Sequence, residues 1–211
     1  MQITKFGHSC LYVVDGDAKI LIDPGAFSAG FEQLTGLTAV LITHQHADHL
    51  DLDRLPALLA ANPGATVYSD TGSVPQLAAA GVAVTAANSG DTFDVGTSIE
   101  VLGHHHAQIH QDIPIIDNAG YLVGGRLFHP GDSLELPGVP IEILAVPAAA
   151  PWMAAKEAIE YYRAVAPQAA FPIHEQILAA PGIGLFQGLL GRLGPQDSKW
   201  QVPTDGEALE F

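Results

Sequence analysis

The run Thr43-His44-Gln45-His46-Ala47-Asp48-His49 packs three imidazoles and a carboxylate into one short stretch. Each is a ligand for a divalent cation, nitrogen or oxygen reaching zinc at about 2.0–2.2 Å. In an extended chain the side chains of His44 and His46 project to the same side. The turn that follows swings Asp48 and His49 toward a neighbouring position. A solvated polar loop accounts for one or two histidines, but four ligand-type residues at this spacing point to a metal cage.

Such a cage has to be held by regular structure on both sides. The apolar Val40-Leu41-Ile42 before it reads as a strand over Ala39–Thr43, and similar β-rich runs occupy Gln2–Phe6, Leu11–Val14 and Lys19–Asp23. Asp15-Gly16-Asp17 is a hairpin turn between two of these runs. From Asp51 the spacing of Leu52, Leu55, Leu58 and Leu59 is helical, with Asp51 or Asp53 as the cap and Asn62-Pro63-Gly64 as the stop. A strand (Ala65–Tyr68) and a short helix with Pro75 in its first turn and Gly81 past its end come next. Strands then dominate through Pro147, after which Trp152, Ala155, Ile159, Tyr162 and Val165 mark an amphipathic helix stopped by Pro167. This order suggests two β-then-α halves with their sheets face to face. A faint repeat agrees: Cys10–Gly25 and Gly120–Asp132 each read as a hairpin whose second strand ends at a Pro-Gly turn.

The 211 residues are most economically one domain. Hydrophobic residues at 48% and charged residues at 15% exclude general disorder. A net charge of −15, with only eight lysines and arginines, argues against nucleic acid and against anionic membrane surfaces. The stretch from Ile141 to Ala155 is broken by Pro147 and Pro151, which rules it out as a membrane span. The N-terminal run reads as a strand rather than an export signal, and Cys10 is the single cysteine. A cytoplasmic protein is the expectation.

His-x-His-x-Asp-His between a strand and a helix resembles the signature of the metallo-β-lactamase superfamily. That resemblance implies an α/β (α+β) fold, a four-layer αββα sandwich with its metals at the edge between the sheets, over the whole chain. It also implies three later ligands. His104, His105, His106 and His110 are the candidates for a downstream loop histidine, and His106, followed by Ala107-Gln108, matches best. Asp132, after Gly131 and the strand-like Leu127-Phe128, matches the bridging carboxylate. His174, closing Phe171-Pro172-Ile173, matches the last ligand. Taken singly, each has a plainer reading as a turn cap, a surface histidine or a strand-end histidine.

The implied scheme puts His44, His46 and His106 on one cation and Asp48, His49 and His174 on the other, with Asp132 between. Zinc is expected, with manganese or iron as alternatives. A bridging hydroxide would attack an ester, lactone, thioester or phosphodiester of a small-molecule substrate. Asp48 would be the catalytic residue, orienting that hydroxide and carrying a proton to the leaving group. Gly7-His8-Ser9-Cys10 and Ile22-Asp23-Pro24 resemble the ascorbate-6-phosphate lactonase-like branch. Asp23 is expected to buttress the metal loop, His129 to support it from behind, and His8 to contact substrate or serve as a structural histidine. Trp152 is either a pocket wall or, more simply, a core residue. Two other readings stay open: a mononuclear iron enzyme using oxygen on a thiol, and a metal-binding protein without turnover. Neither the substrate nor the oligomeric state follows from the sequence.

Overall fold

The computed structural model describes residues Met1–Phe211. Two seven-stranded sheets dominate it. The first is built from β1 (Gln2–Lys5), β2 (Leu11–Asp15), β3 (Ala18–Ile22), β4 (Ala39–Ile42), β5 (Thr66–Ser69) and β6 (Thr85–Ala86). The second contains β7 (Thr92–Asp94), β8 (Ser98–Leu102), β9 (Gly120–Val123), β10 (Leu127–His129), β11 (Ile143–Pro147), β12 (Ala169–Ile173) and β13 (Lys199–Trp200). The last strand, β14 (Ala208–Glu210), returns to the first sheet and pairs antiparallel with β1.

Helices α1 (Leu55–Ala61) and α2 (Val74–Ala79) follow β4 and β5, while α3 (Ala155–Val165) and α4 (Ala180–Leu193) flank β12 in sequence. Both faces of each central strand are buried, so the side-chain alternation sorts residues into layers. Ile20, Ile22 and Leu41 meet Val101, Tyr121, Ile143 and Phe171 in the core between the sheets. On the other face of the first sheet, Leu21, Val40 and Ile42 pack on Leu55, Leu58 and Leu77 of α1 and α2. Leu144 and Val146 pack on Ala158, Tyr162 and Leu190 of α3 and α4. The result is the αββα sandwich.

The two sheets repeat one another. In both, an antiparallel hairpin (β2–β3, β9–β10) leads into a run of four strands paired in parallel (β3–β4–β5–β6, β10–β11–β12–β13). Parallel neighbours place their C-terminal ends on one edge, and in an open α/β sheet that edge is where ligands bind.

Local differences from the sequence reading have physical causes. Asp51 does cap the first helix region, its Oδ1 accepting from the N–H groups of Asp53 and Arg54, but regular helix begins only at Leu55. Trp152 is not part of the amphipathic helix. It sits in a turn ahead of α3, whose first turn is fixed by the Glu157 carboxylate accepting from the Ala154 N–H. Helix α4 had no clear sequence signal, because Gly182, Gly184, Gly188 and Gly191 dilute its periodicity. Packing against α3 stabilises it all the same.

Candidate metal centre

Every proposed ligand follows the C-terminal end of a strand. The loop from Thr43 to His49 leaves β4, His106 lies beyond β8, Asp132 beyond β10 and His174 immediately after β12. Strand β4 is tied across to the second sheet where the loop starts. The buried Tyr121 hydroxyl donates to the Ile42 carbonyl at 2.8 Å, and the Ala119 N–H donates to the Thr43 carbonyl at 2.8 Å. Each such bond contributes on the order of 1 kcal/mol, and together they fix the root of the loop.

Asp23, just past β3 with φ 49°, is the loop's internal anchor. Its carboxylate accepts from the Thr43 N–H (2.8 Å), the Thr43 hydroxyl (2.7 Å) and His49 Nδ1 (2.7 Å). Gly25 lies so close to the Asp48 carbonyl that a Cβ there would overlap it. Arg54 clamps the same turn by donating to the Gly25 and Ser28 carbonyls while pairing with Asp51.

The ring orientations follow from these anchors. His44 Nδ1 donates to the Thr43 hydroxyl oxygen, His106 Nδ1 to the Ala107 carbonyl, and His174 Nδ1 to the Ala149 carbonyl. With His49 tied to Asp23, all four rings turn Nε2 inward, as metal-ligating histidines do. His44 Nε2 and His46 Nδ1 face each other at 3.1 Å. Asp132 stands at the junction. Its Oδ1 lies 3.1 Å from His49 Nε2, and its Oδ2 lies 3.3 Å from His106 Nε2 and 3.0 Å from His174 Nε2.

Two groups of four potential ligand atoms result, each within 4.8 Å of one another: His44, His46, His106 and Asp132, and His8, Asp48, His49 and His174. The donor set fits a pair of cations on an independent observation. His49 Nε2, His106 Nε2, His174 Nε2 and Asp132 Oδ1 are buried without a hydrogen-bond partner. Leaving each so would cost about 1–3 kcal/mol, a cost removed when a cation takes the lone pair.

Charge is arranged to the same end. Burial holds the His44 and His46 imidazoles below their usual range, so they stay neutral. Burial also opposes charge on His49 and His174, but Asp132 outweighs it, holding His49 well above the usual range and pushing His174 up to about 9. Asp132 resists the effect of burial and is held well below the carboxylate range by His49 and His174. These carboxylates draw positive charge into the pocket, and in the metal-free chain that charge is a proton.

His8 belongs to the second group by distance, 3.1 Å from its Nε2 to Asp48 Oδ2, but not by anchoring. Its Nδ1 is buried with no acceptor. An imidazole bound to metal through Nε2 carries its proton on Nδ1 and needs an acceptor there, which His44, His49, His106 and His174 all have. His8 therefore matches a donor to Asp48 through Nε2–H. His129 is satisfied away from the cluster, donating to the Ser9 carbonyl and accepting from the Gly131 N–H, which sets the turn before Asp132.

His104, His105 and His110 lie outside both groups. His105 and His110 are exposed, near Glu135 and Asp112 respectively. Trp152 is the residue that sequence reasoning undervalued. Its Nε1 donates to Asp132 Oδ2 at 3.2 Å, and its ring stands 5.9 Å from that of His106 and 6.3 Å from that of His174. It walls the centre instead of packing in the core. The two prolines and three alanines around it were the available signal of an irregular loop.

Comparison with known proteins adds four findings. A family model described as the beta-lactamase superfamily domain matches residues 2–174. The chain is 46% identical over 217 residues to Protein Rv0786c of Mycobacterium tuberculosis, across 100% of both chains. It is 36% identical over 152 residues to the UPF0173 metal-dependent hydrolase Atu1317 of Agrobacterium fabrum, a match spanning 63% of each. Among solved structures, Igni18, a metallo hydrolase from the archaeon Ignicoccus hospitalis, superposes with a TM-score of 0.75 at 22% identity, covering 100% of this chain and 98% of that one.

Proposed function

This chain belongs to the beta-lactamase superfamily domain family and is a metal-dependent hydrolase, and from that premise we propose that it is a dinuclear enzyme cleaving an ester-type bond of a small molecule. The observation that carries this reading is the Asp132 carboxylate, with Oδ1 toward His49 and Oδ2 toward His106. His44, His46 and His106 would hold one cation and Asp48, His49 and His174 the other, with Asp132 shared. Zinc suits this mixture of imidazole and carboxylate, with manganese and iron as alternatives. Bound cations would supply a water acidic enough to lose a proton near neutral pH and would polarise the bond under attack.

The chain's own part is positional. Asp48, whose carboxylate is about one-fifth exposed, reaches the pocket. Burial raises its proton affinity, but the His174 ring 3.5 Å away and the bond from His8 hold it well below the usual carboxylate range. An acid so firmly ionised accepts a hydrogen bond and orients its donor well, and stores a proton poorly. Trp152 closes one side and restricts water around Asp132.

Other features support the remaining parts of the reading. The pairing of β14 with β1 and the packing of α4 on α3 support a single domain over the 211 residues. The net charge of −15 favours a small-molecule substrate over nucleic acid. No helix is long and apolar enough to cross a membrane. The buried, unpaired Cys10 supports a reducing, cytoplasmic setting.

Elemental analysis of protein purified without added metal is the test, followed by assay of ester, lactone, thioester and phosphodiester substrates. Two zinc ions per chain with hydrolysis is the expected outcome. A single iron ion with oxygen-dependent thiol chemistry, or two metals with no turnover, would overturn it.

A further inference from the structure

The mouth of the metal centre is apolar. Phe27, Ile109, Pro151, Trp152 and Ile177 line a cavity of about 290 Å³ whose floor carries Asp48, Asp132, His46, His106 and His174. Phe27 is 53% exposed and Ile177 41% exposed, although the fold buries most of its large apolar side chains. Their exposure around a polar floor is the pattern of a binding site, in which apolar walls bury the ligand and a few polar groups orient it.

Every side chain around this mouth is apolar, imidazole or carboxylate. Three cations near these loops in sequence are engaged elsewhere: Lys5 is buried against Glu175 at 2.6 Å, Arg54 is bound to Asp51, Glu32 and two carbonyls, and Arg126 is bound to Glu142 through both Nε and Nη2. A neighbouring cavity of about 560 Å³ shares His106 and adds Ile115, Leu134, Ser133 and the His105 ring, which stands 3.7 Å from the Glu135 carboxylate. A substrate tail extending there would meet apolar surface, a hydroxyl and an imidazole already paired with a carboxylate, and neither Arg nor Lys. Recognition of a phosphate or carboxylate tail normally uses Arg or Lys on the protein.

The geometry points to an uncharged acyl compound, a carboxylic ester, thioester or lactone with a short apolar substituent, as the substrate of this centre. This rests on the hydrolase reading and narrows it, setting substrates with an anionic tail, phosphate-bearing lactones among them, aside. In the reaction the oxygen of water bonds to the acyl carbon and the acyl C–O or C–S bond breaks. One proton of the water passes to the departing alkoxide or thiolate, and the acid product loses the other to solvent. The apolar substituent would lie between Phe27, Trp152 and Ile177.

The test separates charge from bond type. Metal-loaded protein is assayed with p-nitrophenyl butyrate, with mono-p-nitrophenyl succinate, which presents the same bond and a similar length with a terminal carboxylate, and with bis(p-nitrophenyl) phosphate. The neutral ester should exceed both anions in kcat/KM by about tenfold or more, the scale of discrimination a substrate pocket supplies. Ile177→Arg should shrink or invert the butyrate-to-succinate ratio, whereas Ile177→Ala should lower the butyrate rate without favouring the anion. Equal or faster turnover of either anion by the wild-type protein would overturn the inference while leaving the hydrolase reading intact. If two metals are bound and none of the three is cleaved, the hydrolase reading fails. Calorimetric binding of the corresponding amides, butyranilide against succinanilate, then decides the mouth's preference: tighter binding of the anion overturns it and tighter binding of the neutral amide supports it.

Discussion

The two halves of this molecule share one strand plan and use it differently. Strand β4 and its counterpart β11 sit at the same place in matching sheets, each paired in parallel on both sides. After β4 the chain carries Thr43-His44-Gln45-His46-Ala47-Asp48-His49, and after β11 it carries Ala148-Ala149-Ala150-Pro151-Trp152. One loop provides four ligand candidates; the other provides the Ala149 carbonyl that orients His174 and the indole that covers Asp132. The ends of β3 and β10 show the same division. Asp23 faces into the metal loop, while His129 is closed off by backbone partners and sets the turn that presents Asp132. Equivalent backbone positions can therefore hold reactive groups or the groups that aim them.

The sharpest way to break this comparison is at the one residue that addresses both groups. Asp132→Ala should lose metal from both proposed sites and lower kcat by at least about 10²–10⁴-fold, the scale for a positioned catalytic group. Metal content and kcat measured on one preparation check it. A variant that retains two metals per chain would remove Asp132 from the bridging position.

Next in size is the contact that lets the β3 turn approach the loop after β4. Gly25→Ala places a methyl group on the Asp48 carbonyl, and Arg54 and Asp23 hold both segments against retreat. A loss on the order of 2–4 kcal/mol in unfolding free energy is expected, at the upper end for single substitutions. Denaturant unfolding of the chelated protein reads this directly, and an unchanged midpoint would mean that the two turns are not rigidly apposed.

A smaller effect belongs to His8. As a donor to Asp48 and not a ligand, His8→Ala should keep both metals and lose about tenfold in kcat with little change in KM, the range found for partners of metal-bound groups. His8→Gln, which keeps an N–H donor, should recover part of the loss. Loss of one metal from His8→Ala would make His8 a ligand instead.

How much of this was legible in the sequence follows from what kind of signal each part left. Ligands within one loop announce themselves by spacing, and the strands beside them by alternation. His106 could be chosen among its neighbours only by resemblance, because His104 and His105 are chemically identical and differ only in which way the chain faces beyond β8. Trp152 left no decisive trace, since one tryptophan near a helix start reads as core until the turn before α3 is known. Asn118, whose side-chain oxygen accepts from the Asp132 N–H at 3.0 Å, is a loop asparagine with no local pattern at all. Its role exists only when β9 and β10 are paired.

A final test sharpens the comparison at the ends of β5 and β12, where corresponding positions carry Asp70 and His174. His174 faces two carboxylates; Asp70 is buried near another acid, Asp117. Burial, reinforced by Asp117, pushes the Asp70 carboxyl up to about 6 despite the bonds donated by the Ser73 N–H and hydroxyl. In the unfolded chain the same group titrates near about 3.9. The folded value is the higher one, so below about pH 4 both states are protonated and Asp70 carries no ionisation penalty. Between about pH 4 and 6 the unfolded state loses its proton first, and stability falls as pH rises. Above about pH 6 the deficit is constant, at most about 3 kcal/mol for a shift of two pH units. Asp70→Asn removes the titration and keeps an acceptor for the Ser73 N–H, while the Ser73 hydroxyl can turn to accept from the amide. Its gain in Tm over the wild-type chain should be near zero at pH 4, grow between pH 4 and 6, and then level off. Both proteins are stripped of metal for this measurement so that ligand protonation cancels between them. A difference in Tm that does not vary across that range would show that Asp70 is ionised throughout, and that the buried end of β5 tolerates charge as readily as the end of β12.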